Sequence, residues 1–188
     1  MTRAATLAAA GDFRWHLREA TAEDHARLDG IVSELDVATR AGLAGFATAH
    51  LLAFRAMEEA HPRAELRAMI AALGTDLASL GAALPGGAMP PAPAHDPLAG
   101  DYLLAGSRMG TQVLRRRWAG SLDPLVRRAD AYFALAVDPA EWPAVRAALS
   151  AVPVGSDRAG RIVADVRALY QLFERAALAA RARLADAA

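Results

Sequence analysis

The most informative chemical groups of this sequence are one histidine and a pair of glycines. The chain has 188 residues and no cysteine, which excludes disulfides, thiolate metal sites and cysteine nucleophiles. It also lacks a His-Glu-x-x-His motif and paired Glu-x-x-His segments, so a zinc hydrolase or a di-iron bundle is not favoured. What remains is His25, on the first predicted helix, together with a later helix that carries glycines in its interior.

The later helix is predicted between Asp96 and Trp118. Asp96 is a favourable N-cap, Pro97 suits the first helical position, and an apolar-periodic run follows. Gly106 and Gly110 lie four residues apart, so they share one helix face, and each costs about 0.5–1 kcal/mol relative to alanine. A face without side chains allows close approach to the backbone, either by another helix or by a flat ligand. Both interpretations remain open at this point.

A planar macrocycle requires an axial nitrogen on one side and free space for a diatomic gas on the other. Haem iron commonly takes one histidine as its axial ligand, so His25 and the glycine face are a compatible pair. Each histidine also has a plainer interpretation. His25 taken alone fits a surface position, His50 lies on an apolar stripe and fits a satisfied core position, and His95 lies in an irregular segment where exposure is expected.

The elements that position these residues are predicted to be helical throughout. Apolar residues recur every three or four positions, and no segment shows strand alternation. About seven helices are expected, at about 13–35 with a kink near Thr21, 39–60, 64–80, 96–118, 124–133, 138–149 and 157–184. Glycines and prolines between 81 and 95 indicate an irregular connection over the bundle surface. We therefore predict an all-α, single-domain multi-helix bundle at residues 13–188, after a flexible leader at residues 1–12.

Composition and charge limit the partners. The chain is 54% hydrophobic and 22% charged, which is typical of a globular protein. Its 21 basic and 21 acidic residues balance, so no net field favours nucleic acid or an anionic membrane. No apolar run approaches the roughly 18 residues of a membrane span. The sequence predicts a cytoplasmic protein without nucleic-acid or membrane partners.

Several segments of the sequence are similar to one known family. Residues 17–29, LREATAEDHARLD, resemble the proximal-helix signature of the haem oxygenase family, in particular its bacterial, bacteriophytochrome-associated branch. Residues 102–110, YLLAGSRMG, resemble the distal-helix motif, and residues 35–46 are similar to the opening of the second helix. The resemblance covers about residues 13–180. It implies an all-α bundle that holds haem between the proximal and distal helices.

The resemblance also implies roles for the distal residues and for His25. His25 corresponds to the axial ligand of the haem iron. Gly106 and Gly110 would let the distal helix lie against the porphyrin and the bound gas, with Ser107 and Arg108 bordering the distal polar network.

Four further positions are considered beside these. Thr111 would lie near the bound gas, at a position where the branch usually has glycine or alanine. Arg18 is the candidate partner of a haem propionate, because of its charge and its position two turns before His25, and Arg146 is a second candidate. Ala105 stands where the branch usually has glutamate.

The activity implied by the resemblance is cleavage of haem to biliverdin, carbon monoxide and ferrous iron. That reaction uses oxygen and electrons from a separate donor, such as a ferredoxin or a reductase, and a bacteriophytochrome is the implied recipient of the biliverdin. The departures at Ala105 and Thr111 keep two alternatives open. One is a non-enzymatic haem- or bilin-binding protein on the same fold, and the other is a helical interaction module without a cofactor.

Overall fold

The computed structural model of the protein describes residues 11–87 and 89–186, and over those residues it contains helices and no strand. The prediction of an all-α chain is therefore confirmed for this part of the sequence. None of its helices is long and apolar enough to cross a membrane. The described residues form nine helices, namely α1 (Phe13–Ala20), α2 (Ala22–Ser33), α3 (Arg40–Ala60), α4 (Ala64–Ser79), α5 (Pro97–Ala119), α6 (Pro124–Arg128), α7 (Ala131–Ala134), α8 (Glu141–Ser150) and α9 (Asp157–Asp186).

Helix starts follow the predicted capping residues. The side chain of Thr39 accepts a hydrogen bond from the backbone N–H of Gly42 at 3.1 Å, which caps α3. Asp96 accepts from the N–H of Leu98 at 3.0 Å and caps α5, with proline in the first turn. Of the predicted leader, residues 1–10 lie outside the described part of the chain, whereas Asp12 is the N-cap of α1.

The first predicted helix is divided at Thr21, where the sequence indicates a kink. α1 ends at Ala20 and α2 begins at Ala22. The hydroxyl of Thr21 donates to the carbonyl of Leu17 at 2.8 Å, so this buried side chain bonds back to the preceding turn. The helix that carries Arg18 therefore ends before the helix that carries His25 begins.

The prediction of one helix at about 124–133 is wrong, because the chain forms two short helices there. Asp76 of α4 is buried, and its carboxylate accepts hydrogen bonds from the N–H groups of Ala131 at 2.8 Å and Tyr132 at 3.0 Å. These are the N–H groups that have no partner at a helix start. A residue 55 positions away therefore caps α7 and ends the periodic run that the sequence shows.

α9 is the longest helix of the described residues, and several other helices pack on it. It packs against α1, α2, α3 and α5, and its contact with α3 is close because Ala49, Ala177 and Ala180 meet there. α3 and α4 form a helical pair through a short connection. Since α2 and α5 both pack on α9, they stand on either side of a space whose floor is α3 and α9.

The connection between α4 and α5 is irregular and lies on the bundle, as the sequence predicts. The N–H of Ala92 donates to the carbonyl of Ala56 on α3 at 2.9 Å. The expectation that His95 is exposed is wrong, because its ring is buried against His61 with ring centroids 4.3 Å apart. The Nδ1 of His95 also forms a hydrogen bond with the carbonyl of Pro93 at 2.9 Å, which satisfies the buried ring.

Candidate functional site: a pocket between α2 and α5

One pocket brings together five of the eight predicted site residues. Its volume is about 420 Å³, and it lies between α2 and α5. His25 lines it from α2, and four residues line it from α5, namely Gly106, Ser107, Gly110 and Thr111. The proximal and distal segments of the sequence therefore face the same space, although about 80 residues separate them in the chain.

The glycine face of α5 is turned toward open space. A Cβ atom placed on Gly106 or Gly110 would meet no other heavy atom within 4 Å. Gly45 of α3 shows the opposite situation, because a Cβ there would lie 2.7 Å from Leu184 and 3.0 Å from Leu35. Gly45 is needed for helix packing, whereas Gly106 and Gly110 are not. The interpretation of the glycine face as a tight helix–helix contact is therefore wrong, and its bare backbone borders the pocket.

His25 is held by a carboxylate one turn later on its own helix. Its Nδ1 lies 3.1 Å from Oδ2 of Asp29, and the side chain is 56% exposed. The edge of its ring meets Tyr170 of α9 at a centroid distance of 5.6 Å and an angle of 84°. A histidine that binds a metal typically donates its other ring N–H to a carboxylate or carbonyl, which fixes the tautomer. The Asp29 contact thus leaves Nε2 of His25 available as a ligand.

The floor of the pocket contains a second imidazole, that of His50 on α3. The expected core position is confirmed, since the residue is 8% exposed and its Nδ1 lies 3.0 Å from the carbonyl oxygen of Phe46. Burial lowers the pKa of His50 to about 4, so the ring is neutral near neutral pH. The lining role was missed from the sequence. The apolar stripe around His50 predicts burial, but it does not show that a cavity lies on that side.

Ser107 and Thr111 lie one turn apart at the pocket wall, and the side chain of Thr111 bonds to the backbone of Ser107. The hydroxyl of Thr111 donates to the carbonyl of Ser107 at 2.9 Å, which is the bond to the preceding turn that its position on the helix permits. Ala105 does not line the pocket, because it is buried in the hydrophobic core. Of the two departures from the family pattern, only Thr111 therefore changes the pocket surface.

Three tyrosines lie near these groups, of which Tyr132 and Tyr170 are buried and Tyr102 is partly buried. Burial raises the pKa of Tyr170, whose ring lines the pocket beside His25, and likewise that of Tyr102. The hydroxyl of Tyr132 is buried without a partner of hydrogen-bonding geometry among the described residues. Burial also raises its pKa, while the nearby hydroxyls of Thr111 and Ser107 oppose that change. All three tyrosines are neutral hydroxyl groups near neutral pH.

Arg108 does not line the pocket, so the structure does not place its side chain at the distal wall to which the resemblance assigns it. Its side chain is buried on another face of α5, where it contacts Glu65 at 3.4 Å and Glu141 at 3.8 Å and donates to the carbonyl of Ala136. Arg108 follows Gly106 by two residues, which rotates its side chain by about 200° around the helix. Residues two apart do not share a face.

The two arginines predicted to bind a propionate, Arg18 and Arg146, also lie outside the pocket lining. The guanidinium of Arg18 lies over the ring of Trp15 at 5.6 Å. The seven-residue spacing between Arg18 and His25 does not place them on one face, because the helix is interrupted between them. Arg117 is the arginine that lines the pocket. Arg117 follows Gly110 by two helical turns, so the two residues share a face of α5. That spacing could have predicted from the sequence that Arg117 lies on the same side of the helix as the glycines.

Comparison with known proteins does not assign the chain to a family. No protein-family model matches it, and no curated protein is similar to it at a significant level. The site is therefore interpreted from its own geometry. Among the described residues, no group of three histidine, cysteine or acidic side chains is placed to hold a metal ion. The free Nε2 of His25 beside a mainly apolar pocket suits a metal that arrives within a ligand supplying its other donor atoms.

Proposed function

We propose that this chain is a haem oxygenase, which cleaves haem to biliverdin, carbon monoxide and ferrous iron. The observation that carries the proposal is the pairing of His25 with the glycine face across one pocket. Both glycines lack any neighbour within 4 Å, so the space beside α5 is free for a flat substrate. The resemblance of residues 17–29 and 102–110 to the proximal and distal motifs of that family supports the same conclusion.

The residues of the pocket fit haem as a substrate. Nε2 of His25 can act as an axial ligand, with Asp29 orienting the ring through Nδ1. The inner part of the pocket is apolar and aromatic, which suits the hydrocarbon edge of a porphyrin, and it includes Phe46 and Phe173. Arg117 supplies a positive charge at the pocket wall for a propionate.

The protein's part in the reaction is to bind, orient and exclude water. Haem supplies the iron that binds oxygen and the ring that is opened. The bare backbone at Gly106 and Gly110 leaves room for oxygen beside the ring. The hydroxyls of Ser107 and Thr111 are the neutral polar side-chain groups of α5 at this wall, and the hydroxyl of Thr111 donates to the carbonyl of Ser107. Electrons come from an external donor such as a ferredoxin or a reductase, and a bacteriophytochrome is the proposed acceptor of the biliverdin.

Haemin titration followed by its Soret absorbance tests the binding part of the proposal. We expect a complex of defined stoichiometry, a changed spectrum and weaker binding for His25→Ala, and a smaller change for Asp29→Asn. His16→Ala is the matched control, because His16 is an exposed histidine of α1 that does not line the pocket. If His25→Ala and His16→Ala both bind haemin as the unmodified chain does, His25 is not the axial ligand.

Turnover tests the catalytic part. The haem complex, supplied with oxygen and either ascorbate or a ferredoxin system, is expected to yield biliverdin that chromatography resolves.

A second function, a non-enzymatic haem or bilin carrier, is favoured by one observation, the branched side chain of Thr111 in the pocket. A normal haem complex without biliverdin formation, for both the unmodified chain and Thr111→Gly, would support the carrier. The open space beside the glycines weighs against a module without a ligand.

A further inference from the structure

The imidazole of His50 presents an unpaired nitrogen at the inner end of the pocket. Its Nδ1 is turned back to the carbonyl of Phe46, one turn earlier on the same helix. A neutral imidazole that donates through Nδ1 has an acceptor lone pair on Nε2. Among the described residues, this Nε2 has no hydrogen-bond partner, and the ring that carries it lines the pocket. Nε2 is not one of the fully buried polar atoms that lack a partner, so it is an acceptor that is open to the pocket.

The aromatic surroundings of His50 make this acceptor selective for a ligand that carries a hydrogen-bond donor. Four aromatic rings surround the imidazole, with centroid distances of 4.0 Å to Phe46, 5.7 Å to Phe54, 5.8 Å to Phe173 and 6.1 Å to Tyr132. Three of them are hydrocarbon, so water competes poorly there. A ligand that fills this end of the pocket displaces water from Nε2, so a ligand without a donor leaves the acceptor unpaired, whereas a ligand that supplies a donor satisfies it.

Haem and its open-chain product differ in the donor that they can offer at this end. In haem all four ring nitrogens are bound to iron, so the macrocycle carries no N–H group, and its inner edge is hydrocarbon. A bilin carries N–H groups on its pyrrole and lactam rings. An acceptor among aromatic rings consequently favours the bilin over haem.

We propose that Nε2 of His50 accepts a hydrogen bond from a ring N–H of a bound bilin. The pocket then holds the linear tetrapyrrole through a contact that haem does not make, and His50 is a residue that binds and retains product. This inference rests on the proposed function for the identity of the ligand. It assigns His50 no part in oxygen chemistry, since the axial ligand and the open wall belong to α2 and α5.

Two substitutions separate the acceptor from the shape of the side chain. His50→Phe keeps an aromatic ring without an acceptor, and His50→Gln restores an acceptor oxygen. The dissociation constants of biliverdin and haemin are measured for all three proteins by absorbance titration. For His50→Phe we expect biliverdin to bind about tenfold more weakly and haemin to change by less than about twofold, with His50→Gln recovering part of the loss. Equal effects on both ligands, or no effect on either, would overturn the proposal.

A measurement on the unmodified chain covers the case in which a variant does not fold. The ¹⁵N resonance of His50 Nε2 is expected to move upfield when biliverdin is added, as for a nitrogen that begins to accept a hydrogen bond. Gallium protoporphyrin, a diamagnetic analogue of haemin, should leave it within the range of the free protein. The same shift with both ligands, or none with biliverdin, would contradict the proposal. Haem turnover together with an unmoved resonance would retain the proposed function and refute this inference alone.

Discussion

Protonation of His50 is expected to link the stability of the fold to pH. Burial lowers the pKa of this group from 6.5 to about 4 in the folded chain. The neutral form is therefore the stable one in the fold, while the unfolded chain binds a proton as soon as the pH falls below the higher value. Stability from this group is fully present above the unfolded pKa and is lost as the pH falls toward the folded pKa.

The magnitude follows from the two pKa values. Between about pH 7 and about pH 5, the free energy of unfolding should decrease by about 2 kcal/mol from His50 alone, and the decrease should approach about 3 kcal/mol near pH 4. The groups that face the imidazole do not alter this direction. Phe46, Phe54 and Phe173 carry no charge, and burial raises the pKa of Tyr132, so that hydroxyl stays neutral throughout the range.

Urea unfolding followed by far-ultraviolet circular dichroism measures this effect. The unmodified chain, His50→Phe and His50→Gln are compared at both pH values, and the difference between proteins removes the acid sensitivity of the carboxylates that they share. Both variants lack the titrating group. Between about pH 7 and about pH 5, the free energy of unfolding of each variant should therefore decrease by about 2 kcal/mol less than that of the unmodified chain. Comparison of the two variants separates titration from packing, because His50→Phe keeps an aromatic ring and His50→Gln replaces it. If all three proteins lose the same free energy, His50 is not held neutral by burial.

Three further predictions concern the pocket wall and the helix start at α7. Gly110→Leu should abolish haemin binding while leaving the fold as stable or more stable by up to about 1 kcal/mol. Gly160→Leu, at another uncrowded helical glycine, should leave haemin binding intact. Unfolding of Gly110→Leu would refute the argument that Gly110 faces open space. Arg117→Gln should weaken haemin binding by up to about fivefold, and a similar loss for Arg116→Gln, whose side chain does not line the pocket, would show only a general charge effect. Asp76→Ala should lower the free energy of unfolding by about 1–3 kcal/mol, because two buried N–H groups lose their acceptor, and unchanged denaturant midpoints would contradict this.

Local sequence was sufficient for most helix boundaries. Asp96, followed by Pro97, caps the start of α5, and Thr39 caps the start of α3. In both cases a short polar side chain at the start of the helix accepts a hydrogen bond from an N–H group two or three residues later. The break at Thr21 was also predicted, but Thr21 does not cap α2, because its hydroxyl donates to the carbonyl of Leu17 instead. The division of the predicted helix at 124–133 was not, because the acceptor that caps α7 is Asp76, a residue of a different helix.

The candidate site was predictable in part. Spacing alone places Gly106 and Gly110 on one face of α5, and it places Arg108 on another. It does not show what lies opposite either face, and so it did not reveal that Arg108 meets Glu65 and Glu141. The choice of Arg18 failed because the spacing argument assumed one continuous helix across Thr21.

The sequence by itself determined that the chain is helical, where most helices start, and which side chains share a face. These properties depend on hydrogen bonds and periodicity within a few residues. Tertiary structure decided that the glycine face borders open space, that His25 and His50 reach the same pocket, and that Arg117 lines it. Those outcomes depend on how α2 and α5 pack on α9, a contact between side chains far apart in the chain. A periodic pattern fixes the direction of a side chain relative to its own helix, and only packing brings a partner, a cavity or solvent to that direction.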